Sequence, residues 1–363
     1  MVVQTVLGGF HMSKYGKKSV TALLLTSAVT LAGCGWLSGE EKENIDPPAD
    51  VTMVEEGENL DNLEEEQTAA ESTQTQVLYL IDENGYVVPQ SLALPLPDDL
   101  TVAKQALQYL VQDGPVSEFL PDGFRAVLPA GTEADLDIKE DGTAVVDFSE
   151  EFKSYNPEDE RKILEAVTWT LTEFDTIDRV QIRVNGHDQT VMPVNGTPIG
   201  ETASRSDGIN LDTSGIMDIT NTRPVTVYFI HQDDESKYYV PVTKRVSNQV
   251  DNKIEAVVQA LVDGPSLTSG LLPALNPNVA LLEDPKVENG QVTLNFNDGI
   301  LGSFTDMIIT EETLNSLVLS ITEQPEVESV SILVNGETEA VTEDGDSLAE
   351  PVTRPENVNT GSF

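Results

Sequence analysis

The 363-residue chain holds a single cysteine, Cys34, and only three histidines. One cysteine excludes an internal disulfide framework, and so few thiols and imidazoles leave little material for zinc or nucleophilic chemistry. Positive charge is scarce as well: 20 Lys and Arg face 63 Asp and Glu, a formal net charge of −43. Such a field repels nucleic acid and anionic headgroups, so no nucleic-acid partner is expected. The same acidity serves solubility in a saline or alkaline medium, and by itself identifies no basic partner. A long hydrophobic run is missing too. The apolar stretch Val20 to Leu31 is well short of the ~20 residues a helix needs to cross ~30 Å of hydrocarbon. No Gly-x-Ser-x-Gly, Gly-x-x-x-x-Gly-Lys or His-Glu-x-x-His pattern occurs. The expectation is therefore a protein that is not an enzyme, with no catalytic residue, cofactor or metal site.

What is present is enough for a folded protein. Hydrophobic residues make up 39% and charged residues 23%, and the length favours two compact domains plus unstructured connections.

The first residues read as an export signal. After a stretch to His11 that precedes an expected start at Met12, a positive segment (Lys14, Lys17, Lys18) leads into the apolar run. The run ends in Leu31-Ala32-Gly33-Cys34, which resembles a bacterial lipobox. Cleavage is expected between Gly33 and Cys34, with Cys34 the lipidation site. Two or three acyl chains there satisfy the rule that stable anchoring takes more than one, and account for a lone thiol outside the cytoplasm. The expected location is the cell membrane, lipid-anchored on its extracytoplasmic face. Loss of the three signal lysines leaves 17 basic residues against 63 acidic ones, a formal charge of −46. Trp36, just after the anchor, is placed to rest its indole at the interface. Glu40-Glu41, Pro47-Pro48, Glu55-Glu56 and Glu64-Glu65-Glu66 mark a self-repelling tether.

Beyond the tether the chain repeats itself. Val77-Leu78-Tyr79-Leu80-Ile81 returns as Thr226-Val227-Tyr228-Phe229-Ile230, and Leu110-Val111-Gln112-Asp113-Gly114-Pro115 returns as Leu261-Val262-Asp263-Gly264-Pro265. Val145-Val146-Asp147-Phe148 answers to Thr293-Leu294-Asn295-Phe296, and Val180 to Gly186 answers to Val330 to Gly336, always close to 150 residues on. One domain is used twice. Each copy opens with a hairpin of two β-rich runs. A helix capped by Thr101 follows, with Val102, Ala103, Ala106, Leu107, Leu110 and Val111 on one side, stopped by Gly114-Pro115. Two strands turn at Asp141-Gly142 or Asn289-Gly290. A second helix starts after Asn156 with a core face of Ile163, Leu164, Val167, Leu171 and Phe174. A closing strand alternates Val180, Ile182, Val184. The predicted fold class is α+β: two tandem copies of a small sheet-plus-two-helices domain, read as β-α-β-β-α-β. The predicted boundaries are 1–33 signal peptide, 34–75 lipidated cysteine and tether, 76–195 first domain, 196–221 linker, 222–345 second domain and 346–363 tail.

Few residues remain as chemical candidates. His187 lies in a turn and His231 at a strand end, and both read as exposed polar residues. The loops Asp82-Glu83-Asn84-Gly85 and Glu343-Asp344-Gly345-Asp346 carry hard oxygen ligands of the kind Ca2+ takes, but turn formation accounts for them without a metal. Trp169 reads as core.

The lipobox, acidic tether and doubled domain, together with Leu110 to Pro115, Val127-Leu128-Pro129-Ala130-Gly131-Thr132 and Ala144 to Ser149, resemble the family of sporulation and spore germination lipoproteins built from GerMN domains. The resemblance covers residues from about 76 to 345. The second copy departs from it: Leu275-Asn276-Pro277-Asn278-Val279 replaces Leu-Pro-Ala-Gly-Thr, and Asn295-Phe296-Asn297 replaces Asp147-Phe148-Ser149. The resemblance implies a ring-building-motif type of fold and an assembly role at a mother-cell-to-forespore channel. It implies protein partners there, with ring formation and a monomer equally open. A wall- or ligand-binding lipoprotein of vegetative cells is the competing reading.

Overall fold

The computed structural model describes residues 73–96, 101–214, 220–233 and 236–360. The signal segment, Gly33, Cys34, Trp36 and the tether to residue 72 lie outside them. The chain divides into a unit Met1–Gln67 and a unit Thr68–Phe363, and every described residue belongs to the second.

Copy 1 opens with an antiparallel hairpin, β1 (Thr73–Asp82) and β2 (Val87–Pro95), so β1 begins three residues before the expected domain start at 76. Helix α1 (Val102–Tyr109) is capped by Thr101, whose hydroxyl accepts from the Lys104 N–H at 3.3 Å. It ends at Tyr109 and not at Val111. The Leu110 carbonyl accepts from both Val127 and Leu128, and that bridge draws the chain out of the helix beside Val111. The two-residue strand β3 (Phe124–Arg125) then joins β1.

A second sheet holds β4 (Ala134–Ile138), β5 (Thr143–Phe148) and β6 (Arg179–Val184), with β7 (His187–Asp188) and β8 (Ala203–Ser204) both on β6. The β4–β5 turn needs Gly142: its φ is +77°, and a Cβ there would meet the Asp178 carboxylate at 2.3 Å. Strands β5 and β6 are parallel, so a crossover must join them. It is α2 (Glu160–Leu171), preceded by a 3-10 turn at Pro157–Asp159 that Asn156 caps.

The single small sheet read from the sequence is thus two sheets, and α2 is the reason they stay apart. Of the expected face, Ile163, Leu164, Val167 and Leu171 are buried, whereas Phe174 lies past the end of the helix and is half-buried; Glu165, Thr168, Trp169 and Thr170 are buried too. A helix buried all round lies between layers. Thr170 shows how the polar positions are tolerated: its hydroxyl accepts the Tyr79 N–H of β1 at 2.9 Å, covering a strand N–H that would otherwise be buried without a partner.

Copy 2 follows the same plan. It contains β9 (Thr222–Gln232), β10 (Lys237–Ser247), α3 (Lys253–Asp263), β11 (Lys286–Glu288), β12 (Gln291–Phe296), α4 (Glu311–Ile321), β13 (Ser329–Val334) and β14 (Val352–Thr353). Ser320 repeats the role of Thr170, accepting from the Tyr228 N–H at 2.9 Å. The turn Asn289-Gly290 has φ of 52° and 78°, both left-handed, as a two-residue hairpin turn demands.

The expected linker and tail are folded where they are described. β8 pairs with β6, and β14 pairs with β13 in the same antiparallel sense. Ile199, Ala203, Ile209, Leu348 and Val358 are buried. Each closing strand thus has its parallel partner on one edge and the segment that follows it on the other.

Copy 1 also holds a buried carboxylate. Glu160 accepts from the N–H groups of Val194 (3.0 Å), Asn195 (2.6 Å) and Thr197 (2.8 Å) and from the Tyr155 hydroxyl (2.9 Å). Burial works to raise its pKa, but the donors led by the Asn195 N–H outweigh it and hold the carboxyl below its usual range. Glu160→Ala strands these donors, at about 1–3 kcal/mol for each buried group left unsatisfied. Urea unfolding should show a loss on the order of 3 kcal/mol or more, and a change under 1 kcal/mol would contradict this account.

Candidate functional site

The most elaborate side-chain arrangement among the described residues is the seam between the two copies, where β2 and β10 lie together. It is built reciprocally. Past β8, Ile209 pairs with β10 of the other copy: its carbonyl accepts the Thr243 N–H, and its own N–H reaches the Thr243 hydroxyl, both at 2.9 Å. Past β14, Val358 does the same on β2, with Ser91 in the place of Thr243, at 3.1 and 2.8 Å. The next residue in each tail is an asparagine with left-handed φ, 46° at Asn210 and 54° at Asn359, a conformation asparagine tolerates better than most residues.

Each carboxamide clamps both copies. Asn210 accepts the Val87 N–H and donates to the carbonyls of Val87 and, across the seam, Pro241, at 2.7–2.9 Å. Asn359 accepts the Tyr239 N–H and donates to the carbonyls of Tyr239 and, across the seam, Pro89, at 2.8–2.9 Å. Tyr86 and Tyr238 add a second reciprocal pair. The Tyr86 hydroxyl donates to the Ser269 carbonyl and the Tyr238 hydroxyl to the Asp82 carboxylate, both at 2.8 Å.

Charge is gathered at one end of the seam, with Glu323 buried and Arg205, Glu173 and Arg354 half-buried. The Tyr79 hydroxyl donates to Glu173 at 2.8 Å, and Arg205 holds Glu173 at 2.5 Å and Glu323 of copy 2 at 2.7 Å. On the other side the Tyr228 hydroxyl donates to Glu323 at 3.2 Å, and Arg354 lies 3.3 Å from the same carboxylate. Two Tyr-Glu-Arg triads, one per copy, are thus joined by Arg205. Trp169 packs under that arginine, its ring 4.4 Å from the guanidinium carbon, and donates its indole N–H to the Gly208 carbonyl at 3.2 Å.

Burial alone would raise the Glu323 pKa, but Arg205 and Arg354 outweigh it and hold the carboxyl below the usual range. Burial, then Glu173, pushes the Tyr79 hydroxyl well above its ordinary value; burial likewise pushes Tyr228 up to about 12. The cluster sets two guanidinium groups against two carboxyl groups and two phenols. It is self-neutral, and its chemistry is positional: it offers no activated nucleophile and fixes two domains in one mutual orientation.

The residues singled out from the sequence are dispersed around this seam. His187 is exposed on β7. His231, expected to be exposed, is largely covered: its ring stacks on Tyr238 at 4.6 Å and its Nε2 lies 3.3 Å from Asp233. Asp82, weighed as a Ca2+ ligand, is committed to the Tyr86 N–H and the Tyr238 hydroxyl. Glu343 caps α4 through the Glu311 N–H at 3.1 Å. Among the described residues no group of three or more His, Cys, Asp or Glu is placed to share a metal ion. Trp169 is core, as expected. The seam residues Arg205, Asn210, Arg354 and Asn359 were missed, although a signal existed. Ser204-Arg205 and Ile209-Asn210 recur at the same spacing as Thr353-Arg354 and Val358-Asn359, so the repeat runs on into the supposed linker and tail.

The duplicated domain, sealed copy to copy, defines the class. The family described as Germane, sporulation and spore germination, matches residues 77–190 and 226–340, and the chain belongs to it. It is 52% identical, over 97% of its length and the whole of the relative, to the spore germination protein GerM of Bacillus subtilis (strain 168). The solved tandem GerMN domains of the Bacillus subtilis sporulation protein GerM match 80% of this chain and all of theirs, with a TM-score of 0.76 and 55% identity.

Removing Arg205 (Arg205→Ala) leaves Glu323 facing Arg354 alone and Glu173 without its guanidinium. Breaking one partner of a buried pair costs about 3–5 kcal/mol, so a loss of that order is expected in urea unfolding. Small-angle scattering should show a larger radius of gyration, while far-UV dichroism stays unchanged. The pH dependence follows from Glu323. Its folded pKa is depressed, so its contribution is full above the unfolded carboxylate value of about 4.3 and is lost as pH falls through the lower folded value. Glu323→Gln should flatten the stability profile in that acid window.

Proposed function

We propose that this protein is a lipid-anchored envelope component of sporulation or germination, acting as a non-enzymatic assembly or scaffold part that docks onto a mother-cell-to-forespore channel or ring complex. Membership of the sporulation family and the near full-length match to a spore germination protein support the process. The observation that carries the scaffold role is the reciprocal seam. The most heavily bonded site among the described residues is spent on holding two domains in register, which suits a protein that presents fixed surfaces to partners. In this reading Cys34 carries the acyl chains, cleavage falls between Gly33 and Cys34, and the tether sets the reach of the domains from the membrane.

Deleting the gene from the native host should sharply lower the yield of heat-resistant spores, with restoration by the intact chain. A Cys34→Ala chain should leave the membrane fraction and restore poorly. Normal spore yield after deletion would reject the sporulation role and favour a vegetative envelope-binding one.

A further inference from the structure

The two copies differ where β5 or β12 leads into the second helix. In copy 1 the segment Glu150–Ser154 tucks Phe152 into the core, stacked on Phe148 at 4.3 Å. In copy 2 Ile300 takes the buried place of Phe152, and the chain then makes an extra excursion. The offset between equivalent residues rises from 148 at Asp147 and Asn295 to 150 at Thr170 and Ser320. The added length forms a small hairpin in which Ser303 pairs with Ile308 and the Ser303 hydroxyl bonds Asp306 at 3.1 Å. Its base is tied to the neighbouring loop, with Val341 donating to Met307 and Ile309 donating to Val341, both at 3.0 Å. Met307 has a φ of +54°, a left-handed conformation that is strained for a non-glycine residue. The result is that Met307 packs on the core while Phe304, at the tip, is 68% exposed.

A lone exposed apolar residue is ordinary. A phenylalanine raised on a tied, strained hairpin is a different arrangement, and its surroundings are chemically uniform. Between Lys286 and Arg354 the chain contains fourteen Asp and Glu and no Lys, Arg or His. The matching stretch of copy 1 carries Lys139, Lys153, Arg161, Lys162, Arg179 and Arg183. The cations that reach this stretch come from outside it: Arg205 of copy 1 and Arg354 to Glu323, Lys237 to Glu312 and Lys253 to Glu326. An anionic lipid surface or a second copy of this acidic chain would be repelled by it.

We propose that the Phe304 hairpin is a docking knob for a protein partner that takes the ring into an apolar pocket rimmed by Lys or Arg. Buried aromatic anchors supply most of the affinity in such contacts, and complementary charge around them speeds and orients encounter. This deepens the docking role above but does not depend on sporulation.

The test is photocrosslinking in cells of the native host, with p-benzoylphenylalanine at position 304 and, as control, at position 191, where Val191 is 48% exposed in copy 1. Adducts are identified by mass spectrometry, and thermal unfolding of the purified variants confirms folding. The expected result is an adduct specific to position 304, to a protein with a net positive extracytoplasmic domain, weakened several-fold by Asp306→Lys in the same chain. The absence of an adduct would overturn the proposal. So would equal adducts at both positions, an adduct insensitive to Asp306→Lys, or one to lipid, glycan, an acidic protein or a second copy. An adduct of the expected kind in vegetative cells would uphold the knob and count against the sporulation role.

Discussion

Arg205 grips Glu173 of its own copy and Glu323 of the other, and the arrangement of the two domains turns on that one guanidinium. Burying Glu323 and half-burying its partners is costly, and pairing them roughly offsets the cost without yielding much net stability. What such a cluster does well is discriminate. Shifting one domain against the other by a single strand position would separate Arg205 from Glu323 and leave a buried carboxylate underpaired, a penalty far larger than the gain from any correct contact. The apolar residues beside it, Tyr228, Leu319 and Val358, supply attraction that tolerates sliding. The charges and the two asparagine clamps supply register.

The seam also explains why the tails are part of the fold. A strand whose hydrogen-bonding edge faces a neighbouring domain has to satisfy its N–H and C=O groups there. Ser91 on β2 and Thr243 on β10 are met by Val358 and Ile209, one residue from each tail. Each copy thus finishes the other's hairpin, and neither would have these partners without the chain that follows its partner's last long strand.

The long elements were legible in the sequence from their apolar runs and periods. The stripe of α1 and the alternation of Val180, Ile182 and Val184 carry a period that a single buried face imposes, while the opening hairpins show as short apolar runs and the β4–β5 turn as Asp141-Gly142. The α+β class and the duplication follow from them. Strands of two residues, such as β8 and β14, are too short to show any period. Helix α2 hid a different fact. Its apolar stripe was read from Ile163 to Leu171, but nothing in the pattern marks Thr168 and Thr170, which are buried as well. Only the geometry shows the Thr170 hydroxyl serving the Tyr79 N–H. The seam residues were legible only as repetition: a polar, Gly- and Ser-containing stretch reads as a linker by composition, whereas Arg205 and Asn210 identify themselves by returning as Arg354 and Asn359.

Duplication with unequal chemistry has a consequence for docking. Copy 1 turns its aromatic residues inward, with Phe148, Phe152 and Tyr155 in contact and Glu160 fastening the loop behind them. Copy 2 has Thr310 where the helix of copy 1 has Glu160, and turns Phe304 outward. Two domains on a flexible linker would each lose orientational freedom on meeting a shared target. Held by the seam, they meet it as one body, and the second contact forms at an effective concentration set by geometry and not by chain statistics. Rigid coupling therefore raises avidity only for targets whose spacing matches the seam and weakens binding to all others. That geometric filter is a form of selection that neither net acidity nor a single exposed ring provides alone.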